Sequence, residues 1–411
     1  MNVYDVLKER GFVEQVSDED KVRDILSEPT TCYIGFDPTA DSFHVGSLVP
    51  IMALAHMQRR GHRVLAVLGG GTAMIGDPSG KSEMRKIISA ETIDNNAKGL
   101  KRQLERFIDF SEGKALMLNN GDWLRPLNYI EFLRDIGRHF SVNRMIAAES
   151  YRQRLETGLN FIEFNYMLLQ AYDYLYLYRN YQCRLQMGGN DQWGNILAGA
   201  DLIRRVEGGD AEALTFPLLV TATGSKMGKT EKGAVWLDAE KTSPYEYYQF
   251  WINQDDRDVG KFLALFTFLP MDEVRRLSSL EGEKLREAKE VLAYEATKLC
   301  HGEEEAEKAR AASKALFEGK RREDDSAIPT FQIEADILEK GIEAFALLVE
   351  SGLSKTRGQA RRLIDQGGAY VNGVRIGSFN QLITKNDCDE NGSILLRAGK
   401  KKYVRVKPKG L

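Results

Sequence analysis

Two short segments, far apart in the chain, carry residue types suited to holding phosphate groups. The segment 44–47 (HVGS) lies between an apolar run typical of a strand and an apolar run typical of a helix. The segment 226–230 (KMGKT) lies much later, in a predicted loop beside Gly224. The first turn of a helix presents unpaired N–H groups and a partial positive charge, so it binds anions. With two lysines on a glycine-bearing loop, this pattern predicts a site that grips the phosphates of ATP.

The residues around the first segment strengthen this prediction. His44 and Ser47 are three positions apart, so their side chains meet on one face of the first helical turn. Gly46 leaves room for a ligand against the backbone. Asp37 and Thr39 lie between the first strand and this turn, where they could also serve as ordinary turn residues.

A glycine-rich segment, 69–85, resembles a nucleotide P-loop but departs from its spacing. The motif Gly-x4-Gly-Lys-Ser/Thr requires its first glycine at position 75, which is Ile75, and the glycine falls at Gly76. The spacing therefore favours a loop that carries Lys81 and Arg85 towards phosphate, with a P-loop phosphotransferase as the alternative.

Polar side chains form a stripe on the predicted aromatic helix 161–178. Tyr166, Gln170 and Asp173 lie at i, i+4 and i+7, on one face. The stripe is either the solvated edge of the helix or, if it faces a sheet, a site for a polar small molecule with an aromatic body. Asp191 and Gln192 begin the next helix, where an acid either caps the helix or holds a ribose hydroxyl.

Composition narrows the classes of protein. The chain has 411 residues and four scattered cysteines without a CxxC pair, which favours a reducing cytosol over a disulfide framework. Five histidines without ligand spacing argue against a protein-bound metal, although magnesium arriving with ATP would leave no motif. No apolar window reaches membrane-spanning length, and the charged start does not resemble a signal peptide. We therefore expect a cytoplasmic protein without a membrane segment.

Apolar runs predict strands at 31–36, 63–68 and 183–187, the last ended by Gly188-Gly189, and helical patterns fill 91–111 and 127–155. This alternation of strands and helices in the first half predicts a doubly wound, Rossmann-like parallel sheet with ligands at the carboxyl ends of its strands. A charged helical pattern follows, and a small α+β unit ends the chain. This unit has a predicted basic helix at 353–366 and a predicted hairpin turn at Asn372-Gly373. Residues 351–411 hold 13 Lys/Arg against 4 Asp/Glu, an excess of nine positive charges that suggests contact with nucleic acid. The predicted segments are a catalytic domain at 1–225, a helical domain at 226–320, a linker at 321–340 and an RNA-binding domain at 341–411.

These residues resemble the class I aminoacyl-tRNA synthetases, and most closely the bacterial tyrosyl-tRNA synthetases, over nearly the whole chain. Segment 44–47 matches the HIGH signature, with Ser47 in place of the last histidine. Segment 226–230 matches the KMSKS signature, with Gly228 and Thr230 in place of the serines. The resemblance implies a catalytic group at the phosphates, made up of Thr39, His44, Lys81, Arg85, Lys226, Lys229 and Thr230.

The resemblance also implies the binding residues. Tyr33 and Asp173 would bond the phenol of tyrosine, while the ammonium and carboxylate groups would meet Asp77, Tyr166, Gln170 and Gln192. The ATP side would comprise Gly35, Asp37, His44, Gly46, Ser47, Lys229 and, at the ribose, Asp191. The C-terminal unit is similar to an RNA-binding fold of ribosomal protein S-four, with phosphate contacts from Lys355, Arg357, Arg361 and Arg362.

The resemblance implies an ATP-dependent ligase that forms tyrosyl-adenylate and transfers tyrosine to tRNA(Tyr). It further implies a homodimer, with magnesium accompanying ATP. Two other interpretations stay open from the sequence. One is a tryptophanyl-tRNA synthetase, which would share the fold and the signatures. The other is an RNA-binding protein whose nucleotide domain is inactive, an interpretation that the intact His44, Lys226 and Lys229 oppose.

Overall fold

The structure is a computed structural model that describes residues 2–79, 88–148, 151, 155–156, 158–224, 227, 229–230, 233–317, 328–389, 391–399 and 402–409. The chain divides into two compact units. Unit 1 comprises residues 1–241 and 254–300, and unit 2 comprises residues 242–253 and 301–411. The domain boundaries predicted from the sequence stay predictions.

A six-stranded sheet forms the centre of unit 1. Its strands are β1 (Gln15–Val16), β2 (Thr31–Phe36), β3 (Arg63–Leu68), β4 (Ala115–Asn119), β5 (Cys183–Gly189) and β6 (Glu212–Phe216). The spatial order is β1-β6-β5-β2-β3-β4, and all neighbours are parallel except the β1–β6 pair. The chain winds one way from β2 to β4 and the other way from β5 to β6. The switch point, where such sheets bind ligands, therefore lies between β2 and β5.

The composition of the central strands explains this arrangement. Five of the six residues of β3 (RVLAVL) are buried, as expected for a strand covered on both faces by helices. The doubly wound sheet is thus confirmed. The edge strand β1 makes the sheet mixed, and the sequence analysis did not predict it because two residues are too few to show a period.

The helices of unit 1 cover the sheet and continue beyond it. They are α1 (Val3–Glu9), α2 (Glu19–Ile25), α3 (Leu48–Arg59), α4 (Ala90–Leu104), α5 (Gly121–Leu124), α6 (Tyr129–Asp135), α7 (Val142–Ile146), α8 (Phe161–Phe164), α9 (Tyr166–Tyr181), α10 (Trp193–Glu207), α12 (Val259–Phe266), α13 (Met271–Ser278) and α14 (Leu285–His301, whose last residue belongs to unit 2). Two short strands, β7 (Lys229–Thr230) and β8 (Gly233–Ala234), form a separate pair. The predicted helix 161–178 is divided at Asn165, which ends α8 and begins α9.

The described part of unit 2 contains the helices α11 (Pro244–Ile252) and α15 (Glu303–Phe317) and a small α+β fold. Further helices are α16 (Ala335–Lys340), α17 (Ala344–Glu350) and α18 (Arg357–Asp365). The strands are β9 (Thr330–Glu334), β10 (Ile342–Glu343), β11 (Ala369–Val371), β12 (Val374–Arg375), β13 (Leu382–Ile383), β14 (Ile394–Ala398) and β15 (Lys402–Lys409). Five of them form a sheet in the order β12-β11-β14-β15-β9, and β10 pairs with β13.

The hairpin predicted at Asn372-Gly373 is present between β11 and β12. Both residues have positive φ, 49° and 84°, which is the conformation that an Asn-Gly turn supplies at low cost. Strand β9 falls inside the predicted linker 321–340, and it pairs in parallel with β15. Within the described part of the chain, no helix is long and apolar enough to span a membrane.

Candidate active site

A cavity of about 570 Å³ opens at the carboxyl ends of β2 and β5, at the switch point of the sheet. It brings together predicted residues from well-separated segments of unit 1. Those that line it are Tyr33, Gly35, Asp37, Thr39, His44, Gly46, Ser47, Asp77, Tyr166, Gln170, Asp173, Asp191 and Gln192. The stripe on α9 therefore faces the sheet, and it is not the solvated edge of the helix.

The carboxylate of Asp173 is held firmly at the inner end of the cavity. Its Oδ2 accepts a hydrogen bond of 2.8 Å from Nδ2 of Asn120, and its Oδ1 accepts one of 2.7 Å from Nε1 of Trp123. The side chain is buried. Burial raises the pKa of Asp173 to about 7, although the two hydrogen bonds lower it in part. The carboxylate is thus fixed in position but costly to ionise.

Three buried polar atoms around the same cavity have no hydrogen-bond partner among the residues that the structure describes. They are the hydroxyl of Tyr33 and the Oε1 atoms of Gln170 and Gln186. Tyr33 and Gln186 lie opposite each other on β2 and β5. Buried polar groups in proteins are normally bonded, and each one left unpaired costs about 1–3 kcal/mol. An unexplained group of three in one cavity indicates that a polar ligand completes their bonding.

A chain of hydrogen bonds runs from this inner end towards the outer end. Asn120 also donates to the hydroxyl of Thr72 at 3.0 Å, and that hydroxyl donates to Oδ1 of Asp37 at 2.8 Å. The hydroxyl of Tyr166 donates to Oδ2 of Asp37 at 3.1 Å. Because both oxygens of Asp37 are bonded, its carboxylate has a defined orientation. The chain connects Asp173 and Asp37 through two neutral side chains.

A second set of bonds joins the start of α10 to the glycine-rich segment after β3. Nε2 of Gln192 donates to Oδ2 of Asp77 at 2.6 Å, and the backbone N–H of Ser79 donates to Oδ1 at 3.0 Å. Asp77 is buried, while Gln192 is partly buried. Residues predicted to meet the ammonium and the carboxylate of an amino acid therefore lie in direct contact.

The two signature segments meet in space. Gly46 lies so close to the second segment that a β-carbon built on it would be 3.1 Å from the carbonyl oxygen of Met227. The same β-carbon would be 2.7 Å from Cε1 of His44, so the position excludes a side chain. Nδ1 of His44 accepts the backbone N–H of Gly46 at 3.0 Å, which makes His44 the N-cap of the short 3-10 helix Val45–Ser47.

The segment that follows the lysine loop is hydrogen-bonded to the first signature. His44 forms a β-bridge with Trp236, and the rings of the two residues are 6.3 Å apart. The backbone N–H of Val45 donates to Val235 at 2.9 Å, and that of Leu237 donates to Phe43 at 2.9 Å. These bonds fix the end of the lysine loop beside the start of α3.

Five predicted catalytic residues are not placed at the cavity by the described part of the chain. Lys81, Arg85 and Lys226 lie outside the described residues. Lys229 and Thr230 belong to β7. The roles assigned to the site residues from the sequence stay predictions at this point.

Of the predicted RNA-binding residues, Arg357, Arg361 and Arg362 lie in α18, and Lys355 lies two residues before it. The helix begins at Arg357, because the Thr356 side chain caps it by accepting the N–H of Gln359. Lys355 therefore precedes the helix that was predicted to include it. The Arg361 guanidinium stacks 4.3 Å from the ring centre of Phe345 and 5.1 Å from that of Phe379. The side chain of Arg361 thus contributes packing contacts as well as a positive charge.

Some residues of the site were missed from the sequence. Thr72, Asn120, Gln186 and Trp236 line the cavity, and Trp123 positions Asp173. Gln186 could have been noticed, because it is a polar residue inside a buried strand (CRLQMGG). Asn120 follows the end of β4, where ligand-binding residues of such sheets collect.

Comparisons with known proteins identify the class. The family model described as "tRNA synthetases class I (W and Y)" matches residues 26–318. A second model, for the "Tyrosine--tRNA ligase SYY-like C-terminal domain", matches residues 323–406. The chain belongs to the class I tRNA synthetases of the tryptophan and tyrosine type.

Relatives distinguish between the two amino acids. A tyrosine–tRNA ligase of Syntrophus aciditrophicus is 60% identical, with 99% of each chain covered. Another, of Clostridium tetani, is 57% identical, with 98% of each chain covered. A C-terminally truncated mitochondrial tyrosyl-tRNA synthetase of Aspergillus nidulans superposes with a TM-score of 0.70 at 30% identity, over 77% of this chain and 94% of that one. The activity of the chain is that of a tyrosine–tRNA ligase, which uses ATP, tyrosine and tRNA as substrates.

Proposed function

We propose that the cavity is where tyrosine reacts with ATP, with its phenol at the inner end between Tyr33 and Asp173. The unpartnered, buried hydroxyl of Tyr33 is the observation that carries this assignment. The nearby Asp173 carboxylate contributes, after burial, to raising the pKa of Tyr33, so the hydroxyl stays protonated and is able to donate a hydrogen bond. A phenol that accepts from Tyr33 and donates to Asp173 would satisfy both groups.

The remaining residues would orient the reacting atoms. The ammonium group of tyrosine would lie near Asp77, Tyr166 and Gln170, with its carboxylate near Gln192. ATP would lie along the outer end, with its ribose at Asp191 and its phosphates at the start of α3, where His44 and Gly46 lie beside Met227. Helix starts favour anions, which supports this placement of the phosphates.

The chemistry needs positioning more than proton transfer. An oxygen of the tyrosine carboxylate attacks the α-phosphorus, the bond to the bridging oxygen of the β-phosphate breaks, and pyrophosphate leaves. The carboxylate is already ionised, so no general base is required. His44, Lys226, Lys229 and Thr230, together with Lys81 and Arg85, would stabilise the charge that builds on the departing phosphates. A ribose hydroxyl of tRNA then attacks the carbonyl carbon, and AMP leaves.

We propose that Mg²⁺ enters with ATP and is held mainly by its phosphates and by water. Magnesium commonly takes only one or two protein carboxylates. The described residues contain no group of three or more His, Cys, Asp or Glu side chains arranged to hold a metal. This composition fits an ion that the substrate carries, and such an ion would screen the negative charge of the phosphates.

Exchange of labelled pyrophosphate into ATP tests the assignment. Tyrosine should support exchange, and phenylalanine should fail, because it would leave the buried hydroxyl of Tyr33 without the partner that the phenol would supply. Tyrosyl-tRNA synthetases are themselves a known example of this discrimination, at about 10⁵-fold, so its size is a property of the family rather than a result of the geometry of this cavity. Exchange supported equally by phenylalanine would contradict the placement of the phenol.

We propose that the chain acts as a homodimer. Large apolar side chains are exposed along one stretch of unit 1, which includes Tyr129, Ile130, Val142, Leu155 and Phe161. Ile130 is 71% exposed and Phe161 is 70% exposed. Exposed apolar groups of this density mark association surfaces. Sedimentation should show a dimer for the natural chain and a monomer for Ile130→Asp, whereas a dimeric Ile130→Asp variant would place the interface elsewhere.

We propose that the C-terminal part of the chain binds tRNA. Its divisions would be the helical domain at 226–320, the linker at 321–340 and the RNA-binding domain at 341–411. We also propose that the protein is cytoplasmic. The positive excess after residue 350 supports the binding of tRNA. Four free cysteines, three of them buried, support the cytoplasmic location. The variant Lys355→Ala/Arg357→Ala/Arg362→Ala should weaken tRNA binding and leave pyrophosphate exchange unchanged. Arg361 is kept because its guanidinium packs on Phe345.

A further inference from the structure

The five-stranded sheet of unit 2 carries a row of alternating arginine and tyrosine residues across its strands. Tyr370 of β11 pairs with Arg375 of β12 on one side and with Arg397 of β14 on the other. Arg397 in turn pairs with Tyr403 of β15. Residues paired across neighbouring strands lie on the same face of a sheet, so these four form one line. Three steps between strands give this Arg–Tyr row a length of about 14 Å.

The Arg–Tyr row occupies the face that the helices leave uncovered. The alternate residues Val371, Leu396 and Val404 are buried in a core with residues of α17 and α18. Side chains alternate between the two faces of a strand, so Tyr370, Arg397 and Tyr403 must lie on the opposite face. Arg375 is exposed, and Tyr370, Arg397 and Tyr403 are partly exposed.

Both arginines of the row are held in defined positions. The Arg397 guanidinium lies 3.6 Å from the ring centre of Tyr370, and within the described part of the chain its buried Nε has no hydrogen-bond partner. The Arg375 guanidinium lies against Gly367, where a β-carbon would be 2.1 Å from Nη2. An arginine surrounded only by water would not pack against a glycine or an aromatic ring in this way. Held in this way, a guanidinium loses less conformational entropy when it binds an anion.

Charge on this face is strongly one-sided. The strand residues that share it include the basic side chains Arg375, Arg397, Arg405, Lys407 and Lys409. Arg405 is buried and ion-paired with Asp389, so within the described residues the positive charge available to a ligand comes from Arg375, Arg397 and Lys407. Among the described strand residues of the same face, the acidic one is Glu334, and Lys409 pairs with it at 2.6 Å. The net positive charge of this face therefore attracts a polyanion. The cavity of unit 1, in contrast, is lined by acidic residues.

We propose that this face binds the phosphate backbone of RNA. It would be a second tRNA contact, separate from the one assigned to Lys355, Arg357 and Arg362. The proposal rests on the proposed function of the C-terminal part in binding tRNA. Planar guanidinium groups bind phosphate oxygens through two parallel hydrogen bonds. Tyrosine rings and guanidinium planes also stack on unpaired bases, which is the usual way in which proteins recognise single-stranded RNA. Such a row suits RNA better than it suits an acidic peptide, which offers no bases to stack.

The test compares two pairs of substitutions in the full-length chain. Arg375→Ala/Lys407→Ala removes two charges from the face and leaves the Arg397–Tyr370 stack intact. Lys340→Ala/Lys385→Ala removes two exposed charges that lie off this sheet, and serves as the matched control. Binding to a tRNA(Tyr) transcript is measured by fluorescence anisotropy over a range of salt concentrations, and melting curves verify folding.

We expect the first pair to weaken binding about 10-fold and to lower the slope of log K against log[salt] by about 2, since each lost phosphate contact removes nearly one unit. The control pair should stay within about twofold of the natural chain. Arg397→Lys keeps the positive charge but removes the planar guanidinium that stacks on Tyr370. It should weaken binding severalfold with little change in the slope of log K against log[salt]. Pyrophosphate exchange should be unchanged in all of these variants.

The outcomes separate this inference from the function on which it rests. If the first pair binds as the natural chain does while Lys355→Ala/Arg357→Ala/Arg362→Ala loses affinity, the sheet face makes no contact and the tRNA-binding role stands. Equal losses in the first pair and the control pair would also overturn the inference, because the effect would be one of general charge. If neither the sheet variant nor the helix variant loses affinity, the proposed role in tRNA binding fails as well.

Discussion

The two ends of the active-site cavity are built differently. At the inner end, Tyr33 and Asp173 are buried, and both oxygens of Asp173 already accept hydrogen bonds. At the outer end, Gly35 and Thr39 are exposed, and His44 is fixed chiefly by its own cap and its bridge to Trp236. The inner end is organised before a ligand arrives, which suits selection of one amino acid. The described part of the outer end offers the backbone at the start of α3, where we propose that ATP lies.

The largest effect should come from the outer end. His44→Ala should lower the rate of adenylate formation about 10²–10³-fold, as does loss of one preorganised group that stabilises transition-state charge in other enzymes. Tyrosine affinity should change little, because the group acts on the phosphates. Stopped-flow measurement of adenylate formation gives both quantities. Lys229→Ala should behave in the same way. A large loss of tyrosine affinity in either variant would contradict the separation of tyrosine binding at the inner end from phosphate binding at the outer end.

A smaller effect is expected at the inner end. Tyr33→Phe removes a buried hydroxyl and leaves the phenol of tyrosine with one partner fewer, at a cost of about 1–3 kcal/mol. Discrimination between tyrosine and phenylalanine, as the ratio of kcat/KM in pyrophosphate exchange, should fall about 10- to 100-fold. Because the ring is kept, the fold should be unaffected, which a melting curve verifies. An unchanged ratio would remove Tyr33 from the recognition of the phenol.

The pH dependence of tyrosine binding sharpens the same contrast. Burial raises the pKa of Asp173 to about 7, so in the free enzyme the ionised carboxylate, which we propose accepts the phenol, is lost as pH falls below 7. Tyrosine affinity should therefore fall about 10-fold between pH 8 and pH 6, as measured by equilibrium dialysis. ATP affinity at the outer end should vary less over this window. A flat profile for tyrosine would show that Asp173 stays ionised throughout.

The raised pKa has a second consequence, for stability. The unfolded chain releases this proton above a pH of about 4, whereas the folded chain keeps it up to about 7. The contribution of Asp173 to the free energy of unfolding therefore decreases as pH rises from about 4 to about 7. Ionised Asp173 at the inner end thus lowers the free energy of unfolding, which is common for a buried charge at a binding site.

The smallest expected effect concerns coupling between the ends. Thr72→Val breaks the chain of bonds between Asn120 and Asp37 with little change in volume. Loss of one such bond is worth about 0.5–1.5 kcal/mol, so affinities for tyrosine and ATP should each change by a few fold. A double-mutant cycle with Tyr33→Phe measures whether the two ends interact. A coupling energy of zero would mean that the ends act independently.

Much of this arrangement could be predicted from local sequence. Strands β2 and β3 have the bounds that their apolar runs predicted, and the period of α9 placed Tyr166, Gln170 and Asp173 on one face. The glycines at 188–189 correctly marked a strand end beside the site. These features depend on residues close in the chain, so a single sequence contains the information.

Other features depend on distant partners. Strand β9 (TFQIE) has three polar residues in five and was predicted as linker, since its pairing with β15 involves residues far along the chain. Asn120 and Trp123 contribute to the site only because β4 lies near α9, which no local pattern reveals. Helices α6 and α7 were predicted as one long helix. Ile136 and Ser141 flank a turn between them, and the apolar periodicity continues through it.

The bridge between His44 and Trp236 bears on how the enzyme is made. A ribosome delivers the chain from its N-terminus, and domains begin to fold as they emerge. By the time residue 192 has emerged, every described residue of the tyrosine end is available, from Tyr33 to Gln192. His44 still lacks its partner, because Val235, Trp236 and Leu237 have yet to be synthesised. The growing polypeptide therefore contains the residues that we propose for tyrosine before it contains those that hold the start of α3.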